Sequence, residues 1–177
     1  YWAIDEVGVD GTVYAGDLWS FTTSSPGEGG VKGEYFTNMT VTEAPALTRI
    51  DPEINFSWGE GAPDDAVGAD NFSVRWTADL EIAVADTYTF TTSTDDGVRL
   101  WLDGRRVIDN WTDHGTANDY ARVDLVAGQF YSVKMEWYES GGGAVAQLSW
   151  QSPSITRQII PTGWLQLPVH ATSPYPY

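Results

Sequence analysis

The sequence contains no cysteine among its 177 residues. A chain without thiols can form neither a disulfide framework nor a thiolate metal site. Any metal that it binds must therefore be an ion held by oxygen ligands.

Basic residues are also scarce. Nine Lys and Arg stand against 25 Asp and Glu, which gives a formal net charge of −16. Proteins that bind nucleic acids neutralise phosphates with clustered Lys and Arg, so we expect no nucleic-acid partner. An acidic, Lys-poor chain that is rich in Trp, Gly and Thr is typical of the extracellular space. We therefore expect a secreted or cell-surface protein.

Long apolar runs are absent as well. No stretch of 18 apolar residues occurs, and no basic start leads into an apolar stretch. We expect neither insertion into a membrane nor a signal peptide within this chain. The opening Tyr1-Trp2 already lies in a strand-like pattern, which indicates a piece of a longer protein.

Short strands dominate what is present. Apolar and polar residues alternate over many short segments separated by turn signals, and no segment keeps a helical period. The candidate strands are 31–36, 72–78, 87–93, 98–102, 106–109, 121–126, 131–138 and 145–150. The expected core comprises Phe72, Val74, Trp76, Phe90, Leu100, Leu102, Val123, Leu125, Met135, Trp137, Leu148 and Trp150. This pattern predicts an all-β fold, an antiparallel β-sandwich of jelly-roll type.

The chain divides into four parts. Residues 1–23 read as a β-hairpin that resembles the last two strands of a fibronectin type III or immunoglobulin-like module. Residues 24–30 form a Gly- and Ser-rich linker, and 31–168 form the sandwich domain. Residues 169–177 form an extended, proline-bearing tail that leads to a next module or a neighbouring subunit.

One acidic pair stands between two predicted strands. Asp95 and Asp96 follow the strand that ends at Ser93 and precede the strand that starts at Val98. Adjacent carboxylates repel each other. Either the turn splays them into water, as in an ordinary Asp-Asp-Gly turn, or a cation lies between them.

Several motifs in the same order resemble a known family. They are Lys32-Gly33-Glu34-Tyr35-Phe36, Asn55-Phe56-Ser57-Trp58-Gly59, Phe72-Ser73-Val74-Arg75-Trp76, Thr94-Asp95-Asp96-Gly97-Val98-Arg99-Leu100-Trp101, Asp109-Asn110-Trp111 and Gln147-Leu148-Ser149-Trp150. The stretch is similar to the domain first named in the bacterial toxin protective antigen, which also occurs in yeast flocculins, fungal adhesins and glycosidases. The resemblance implies a β-sandwich and, in the lectin branch, a calcium site that binds glycan hydroxyls directly.

The resemblance also implies the site residues. In the lectin branch a cis peptide joins the paired aspartates, which match Asp95 and Asp96, and both ligate Ca²⁺. Glu139 matches a side-chain ligand, and residues 141–143 match a loop in which Gly141 and Gly143 offer carbonyls and Gly142 adjoins the glycan. With two sugar hydroxyls or waters, these oxygens would complete a calcium shell. A plain hairpin turn is an equally good interpretation of the three glycines.

The remaining candidates are weaker. Trp111 could contact a glycan, although a packing role is the stronger interpretation, and His114 reads as a loop residue. Four Asn-X-Ser/Thr sequons occur, at Asn38, Asn55, Asn71 and Asn110, and they could carry sugars only where the host glycosylates them.

Catalysis is not expected. The carboxylates of a glycosidase flank a bond at about 5–10 Å, and adjacent aspartates cannot do so. The sequence therefore predicts a non-catalytic, calcium-dependent carbohydrate-binding module like those of adhesins. The alternative is a structural repeat of a surface stalk or filament, in which copies join head to tail through their terminal strands.

Overall fold

The computed structural model describes residues 6–7, 12–14 and 29–168. These residues form fourteen strands and one 3-10 turn at Thr162–Trp164. The strands are β1 (Glu6–Val7), β2 (Val13–Tyr14), β3 (Val31–Phe36), β4 (Leu47–Asp51), β5 (Asn55–Gly59), β6 (Phe72–Ile82), β7 (Asp86–Asp95), β8 (Val98–Leu102), β9 (Arg105–Asn110), β10 (Ala117–Leu125), β11 (Gln129–Glu139), β12 (Ala144–Ser152), β13 (Ile155–Ile159) and β14 (Leu165–Gln166).

Twelve of these strands, β3 to β14, form two antiparallel sheets. One sheet has five strands in the order β10-β7-β12-β13, with β5 also paired to β12. The other has seven strands in the order β4-β3-β6-β11-β8-β9, with β14 also paired to β6. The two sheets pack as a sandwich, so the all-β antiparallel prediction is confirmed.

The core lies between the sheets because inward positions recur at every second residue. β6 and β11 pair along eleven residues, with Trp76 opposite Met135 and Val74 opposite Trp137. The side chains of Trp76, Trp137 and Trp150 are fully buried. The predicted core residues are all buried except Val123, which is partly buried and packs against the cluster.

The predicted strands exist, but four others were missed, namely β4, β5, β13 and β14. β4 shows why, because its hydrophobic pattern is inverted. Ile50 is 52% exposed, whereas its neighbour Asp51 is only 3% exposed. The Asp51 carboxylate accepts hydrogen bonds from the Tyr35 hydroxyl, the Trp76 indole N–H and the Arg49 guanidinium. An alternation rule that places polar residues outside cannot find such a strand.

The sandwich has two distinct ends. β6 starts at Phe72 and β11 ends at Glu139, and these two residues pair at one end, hereafter the site end. At the other end Ile82 pairs with Gln129, roughly 33 Å away at about 3.3 Å per residue. Gly29, two residues before β3, forms a bridge with Gln166 in β14, so the chain enters and leaves the sandwich at neighbouring positions.

Little of the predicted flanking organisation can be compared with the structure. β1 and β2 pair antiparallel, with Glu6 opposite Tyr14. The rest of the hairpin 1–23, most of the linker 24–30 and the tail 169–177 lie outside the described residues, as do the edges expected to join copies. The described residues contain no helix that is both long and apolar enough to cross a membrane.

Candidate metal and ligand site

Three connections meet at the site end. They are the β7–β8 turn after Asp95, the β9–β10 loop (residues 111–116) and the β11–β12 loop (residues 140–143). Strand pairing brings them together, because β7 lies between β10 and β12. Thr94 is opposite Ala117, and Asp95 is opposite Val145.

Three carboxylates converge at this junction. Asp95, Asp96 and Glu139 each offer one oxygen, and these oxygens all lie within 4.8 Å of one another. Asp96 is 5% exposed and Glu139 is 0% exposed. Both Glu139 oxygens lack a hydrogen-bond partner among the described residues. Since a buried carboxylate without a donor is costly, the donor set fits a hard cation such as Ca²⁺.

The Glu139 carboxyl is electrostatically perturbed. Burial, followed by the charges of Asp96, Asp95 and Asp70, raises its pKa from 4.5 to about 7. The amide of Gly141 acts in the opposite direction. It does not reach hydrogen-bonding geometry, so the carboxylate oxygens remain unpaired. A bound cation would supply a positive charge to balance Glu139 and the neighbouring carboxylates.

The two aspartates also hold the surrounding loops. The peptide bond between Asp95 and Asp96 is cis, as the resemblance implies. Asp96 accepts hydrogen bonds from the His114 N–H at 2.8 Å and from the Ser140 N–H at 2.9 Å. Asp95 accepts one from the Thr116 hydroxyl at 3.1 Å. Both loops are therefore fixed by the carboxylates that are the candidate ligands.

The glycine loop lies directly beside these carboxylates. A Cβ at Gly143 would lie 3.8 Å from an Asp95 carboxylate oxygen, and one at Gly141 would lie 3.9 Å from an Asp70 oxygen. Gly142 has φ +102°, a conformation that favours glycine. The loop is both a tight turn and a neighbour of the site. The carbonyl-ligand role of Gly141 and Gly143 stays a prediction.

Trp111 packs at the edge of the site. Its ring centroid lies 4.7 Å from that of Tyr138, and the Arg99 guanidinium lies 4.2 Å from the indole centroid. Arg99 also pairs with Asp109 at 3.3 Å. Trp111 therefore has the packing role that was the stronger interpretation of the sequence. A contact between Trp111 and a glycan stays a prediction.

Four residues at the site were not predicted from the sequence. They are Asp70, Asp113, the His114 amide and Thr116. Asp113 accepts the Tyr138 hydroxyl at 2.6 Å and lies 3.5 Å from the Ser140 hydroxyl. No local motif marks this loop, since the following strand was predicted to start at residue 121 and in fact starts at Ala117. The register of β10 on β7 was the missing information.

Comparisons with known proteins identify the family of this domain. A sequence profile of the PA14 domain matches residues 27–164. The chain is 46% identical over 136 residues to the anti-sigma-I factor RsgI3 of Acetivibrio thermocellus, covering 77% of this chain and 21% of RsgI3. The chain thus spans about a fifth of that relative.

Two solved structures extend the comparison. An anti-sigma factor domain-containing protein superimposes with a TM-score of 0.77 at 43% identity, covering 83% of this chain and 51% of that one. A PA14 sugar-binding domain from an RTX adhesin gives a TM-score of 0.62 at 19% identity, covering 79% and 99%. The latter likeness concerns the fold alone. The profile match confirms the resemblance carried by the motifs, and with it the chain belongs to the PA14 domain family.

Proposed function

We propose that this domain is a calcium-dependent carbohydrate-binding module of a secreted or cell-surface protein. The observation that carries the proposal is Glu139, a fully buried carboxylate with no hydrogen-bond partner in the described part of the chain and two further carboxylates beside it. Such a group is stabilised by a cation that oxygen ligands can hold.

The proposed site would work by shared coordination. Asp95, Asp96 and Glu139 would hold Ca²⁺, with carbonyl oxygens of Gly141 and Gly143 as further ligands. Calcium takes six to eight oxygens, so sugar hydroxyls could occupy the remaining positions. Gly142 and Trp111 would flank the bound sugar. The fold shared with a domain described as sugar-binding supports this proposal.

The same geometry argues for binding without catalysis. One oxygen from each of the three carboxylates lies within 4.8 Å of the other two. Glycoside hydrolysis instead requires two carboxyl groups on opposite sides of the bond, about 5–10 Å apart. Three carboxylates gathered this closely are suited to binding one ion and do not flank a glycosidic bond.

A second role is favoured by the relatives. The 46% identity to RsgI3 covers this module, in a protein named as an anti-sigma factor. In a protein of that kind the module would serve as the ligand-sensing part. In an adhesin it would serve as the attachment part. Both roles need the same glycan site, so the same binding experiment tests their common basis.

The decisive experiment measures glycan retention with and without calcium. The full chain is applied to an array of neutral and pectic glycans, either in about 2 mM CaCl₂ or in excess chelator. This calcium concentration is on the order of the dissociation constants of extracellular calcium-binding modules. Calcium should be required for retention, and Asp95→Asn and Asp96→Asn should abolish it.

The matched control is Asp124→Asn. Asp124 is exposed and lies towards the opposite end of the sandwich, where its neighbour Leu125 pairs with Asp86. This variant should bind like the wild type. Retention that ignores both the chelator and the two site variants would contradict the proposal.

A further inference from the structure

The site end carries more negative charge than an ion would neutralise. Beyond the three candidate ligands, Asp70 lies close enough to raise the pKa of Glu139 and faces Gly141. Asp113 accepts a 2.6 Å hydrogen bond from the Tyr138 hydroxyl. Tyr138 is followed in the chain by Glu139, one of the candidate ligands. Asp70 and Asp113 are both exposed to solvent at the site end.

The cations of the chain lie elsewhere. Lys32, Arg75 and Lys134 form ion pairs with Glu34 and Glu136 on the outer face of the seven-stranded sheet. Arg99 lies beside Trp111 at the edge of the site, where it stacks on the indole and pairs with Asp109. Among the described residues, no ion pair includes any of the five carboxylates at the site end.

We propose that this site selects uncharged glycans and rejects glycans that carry carboxylates, with Asp70 and Asp113 as the specificity-determining residues. The inference rests on the proposed calcium-dependent glycan site. It goes further by choosing between the neutral and the uronate-bearing sugars that such a site could bind.

Charge counting gives the physical reason. Five carboxylates contribute −5 and a bound Ca²⁺ contributes +2, so a charge of −3 remains at the site end. A ligand carboxylate would meet these like charges, none of which takes part in an ion pair among the described residues, and binding would weaken. A uronate that ligated the ion directly would become the fourth carboxylate around it.

Neutral hydroxyls meet the opposite situation. A hydroxyl group donates a hydrogen bond, and an ionised carboxylate can only accept. Asp70 and Asp113 therefore offer acceptors to sugar hydroxyls next to the ion. The same two side chains would attract an uncharged sugar and repel an acidic one, which is how specificity arises from both favourable and repulsive contacts.

The test uses matched probes that differ only in charge. The full chain in saturating Ca²⁺ at pH 8 is offered neutral galactan oligosaccharides, galacturonic acid oligosaccharides and the methyl esters of the latter, within a wider array of neutral and C6-oxidised glycan pairs. Neutral members and esters should bind at least about tenfold more tightly than their acidic counterparts. The difference should shrink as NaCl rises, because salt screens exposed charges.

Two variants locate the effect. Asp70→Asn and Asp113→Asn should each reduce the affinity ratio of uncharged to acidic glycans severalfold. Both variants should keep the calcium-dependent rise in melting temperature. Asn at position 113 keeps an acceptor for the Tyr138 hydroxyl, so the loop should stay intact. Asp124→Asn, remote from the site, should leave the preference unchanged.

The outcomes separate the two proposals. Acidic glycans bound as tightly as neutral ones, with calcium dependence that Asp95→Asn removes, would overturn the selectivity and leave the proposed function standing. A preference unchanged in both Asp70→Asn and Asp113→Asn would overturn their assigned role. If calcium stabilises the fold but the array retains no glycan of either kind, the proposed function fails and the selectivity fails with it.

Discussion

The main-chain N–H of Ser140 donates a 2.9 Å hydrogen bond to the carboxylate of Asp96, 44 positions earlier in the chain. The other oxygen of the same carboxylate accepts the His114 N–H. One side chain thus fixes the two loops that border the site. Carboxylates that are held in place in this way would need little reordering to hold an ion.

Calcium should stabilise the folded protein. A ligand that binds only the folded state adds RT ln(1 + [L]/Kd), about 2.7 kcal/mol at a hundredfold excess over Kd. Calorimetry should therefore show a higher melting temperature in calcium than in chelator, and Asp95→Asn and Asp96→Asn should lose this difference. Glu139→Gln should reduce it by less, because it removes one charge among several oxygens and no hydrogen bond, whereas Asp95 and Asp96 also accept hydrogen bonds from the flanking loops. Equal melting temperatures with and without calcium in the wild type would contradict the metal site.

The stability of the calcium-free protein should depend on Glu139 ionisation. Its folded pKa, about 7, lies above the ordinary value of 4.5, so the folded state holds the proton more tightly. The tighter hold on the proton adds to the free energy of unfolding. This stabilisation is fully present below pH 4.5 and is lost as the pH rises through 7. Melting curves in chelator from pH 4.5 to 8 should show that loss in the wild type. Glu139→Gln, which cannot ionise, should show a smaller loss over the same interval.

Protons should compete with calcium at the same residue. Calcium binds the ionised carboxylate, so its affinity should fall as the pH drops below 7. Calorimetric titrations at pH 6 and 8 measure this directly. The affinity of Glu139→Gln should be lower at both pH values and should change less between them. An identical pH dependence in this variant would assign the effect to another group.

Gly97 should tolerate no side chain. A Cβ at this position would clash with the Tyr138 ring and lie 3.0 Å from the Thr112 main-chain nitrogen. Overpacking of this kind costs about 1–3 kcal/mol, so Gly97→Ala should lower the free energy of unfolding by that amount and weaken calcium binding. Gly115→Ala is the matched control, because nothing lies within 4 Å of its added Cβ. Urea unfolding of both variants provides the comparison.

Asp51 should be essential to the seven-stranded sheet. Its buried carboxylate pairs with Arg49 at 2.7 Å and accepts hydrogen bonds from Tyr35 and Trp76. Breaking a buried pair by removing one charge costs about 3–5 kcal/mol, so Asp51→Asn should destabilise strongly. Calcium should still raise its melting temperature, since the site lies on other strands. Asp109→Asn disrupts only exposed pairs and should change the free energy of unfolding by about 1 kcal/mol or less.

The sequence predicted the fold best where the hydrophobic pattern was regular. The bounds of β3 and β8 match the prediction residue for residue, because inward and outward positions alternate throughout β8 and over the first five residues of β3. β4 was missed because the buried Asp51 inverts that pattern. The paired aspartates were found through a local motif. Thr116 and the His114 amide were not, because only the register of β10 on β7 brings them there.

The bridge between Gly29 and Gln166 has a mechanical consequence. Tension carried along the chain on both sides of the sandwich would cross it through this neighbouring pair and bypass β7 and β12. Gln166 is level with Asp79 and Ser132, and Glu139 lies seven residues farther along β11, roughly 23 Å at about 3.3 Å per residue. The site end would therefore lie outside the path of the tension, and its carboxylates would keep their spacing while the chain is pulled at both ends.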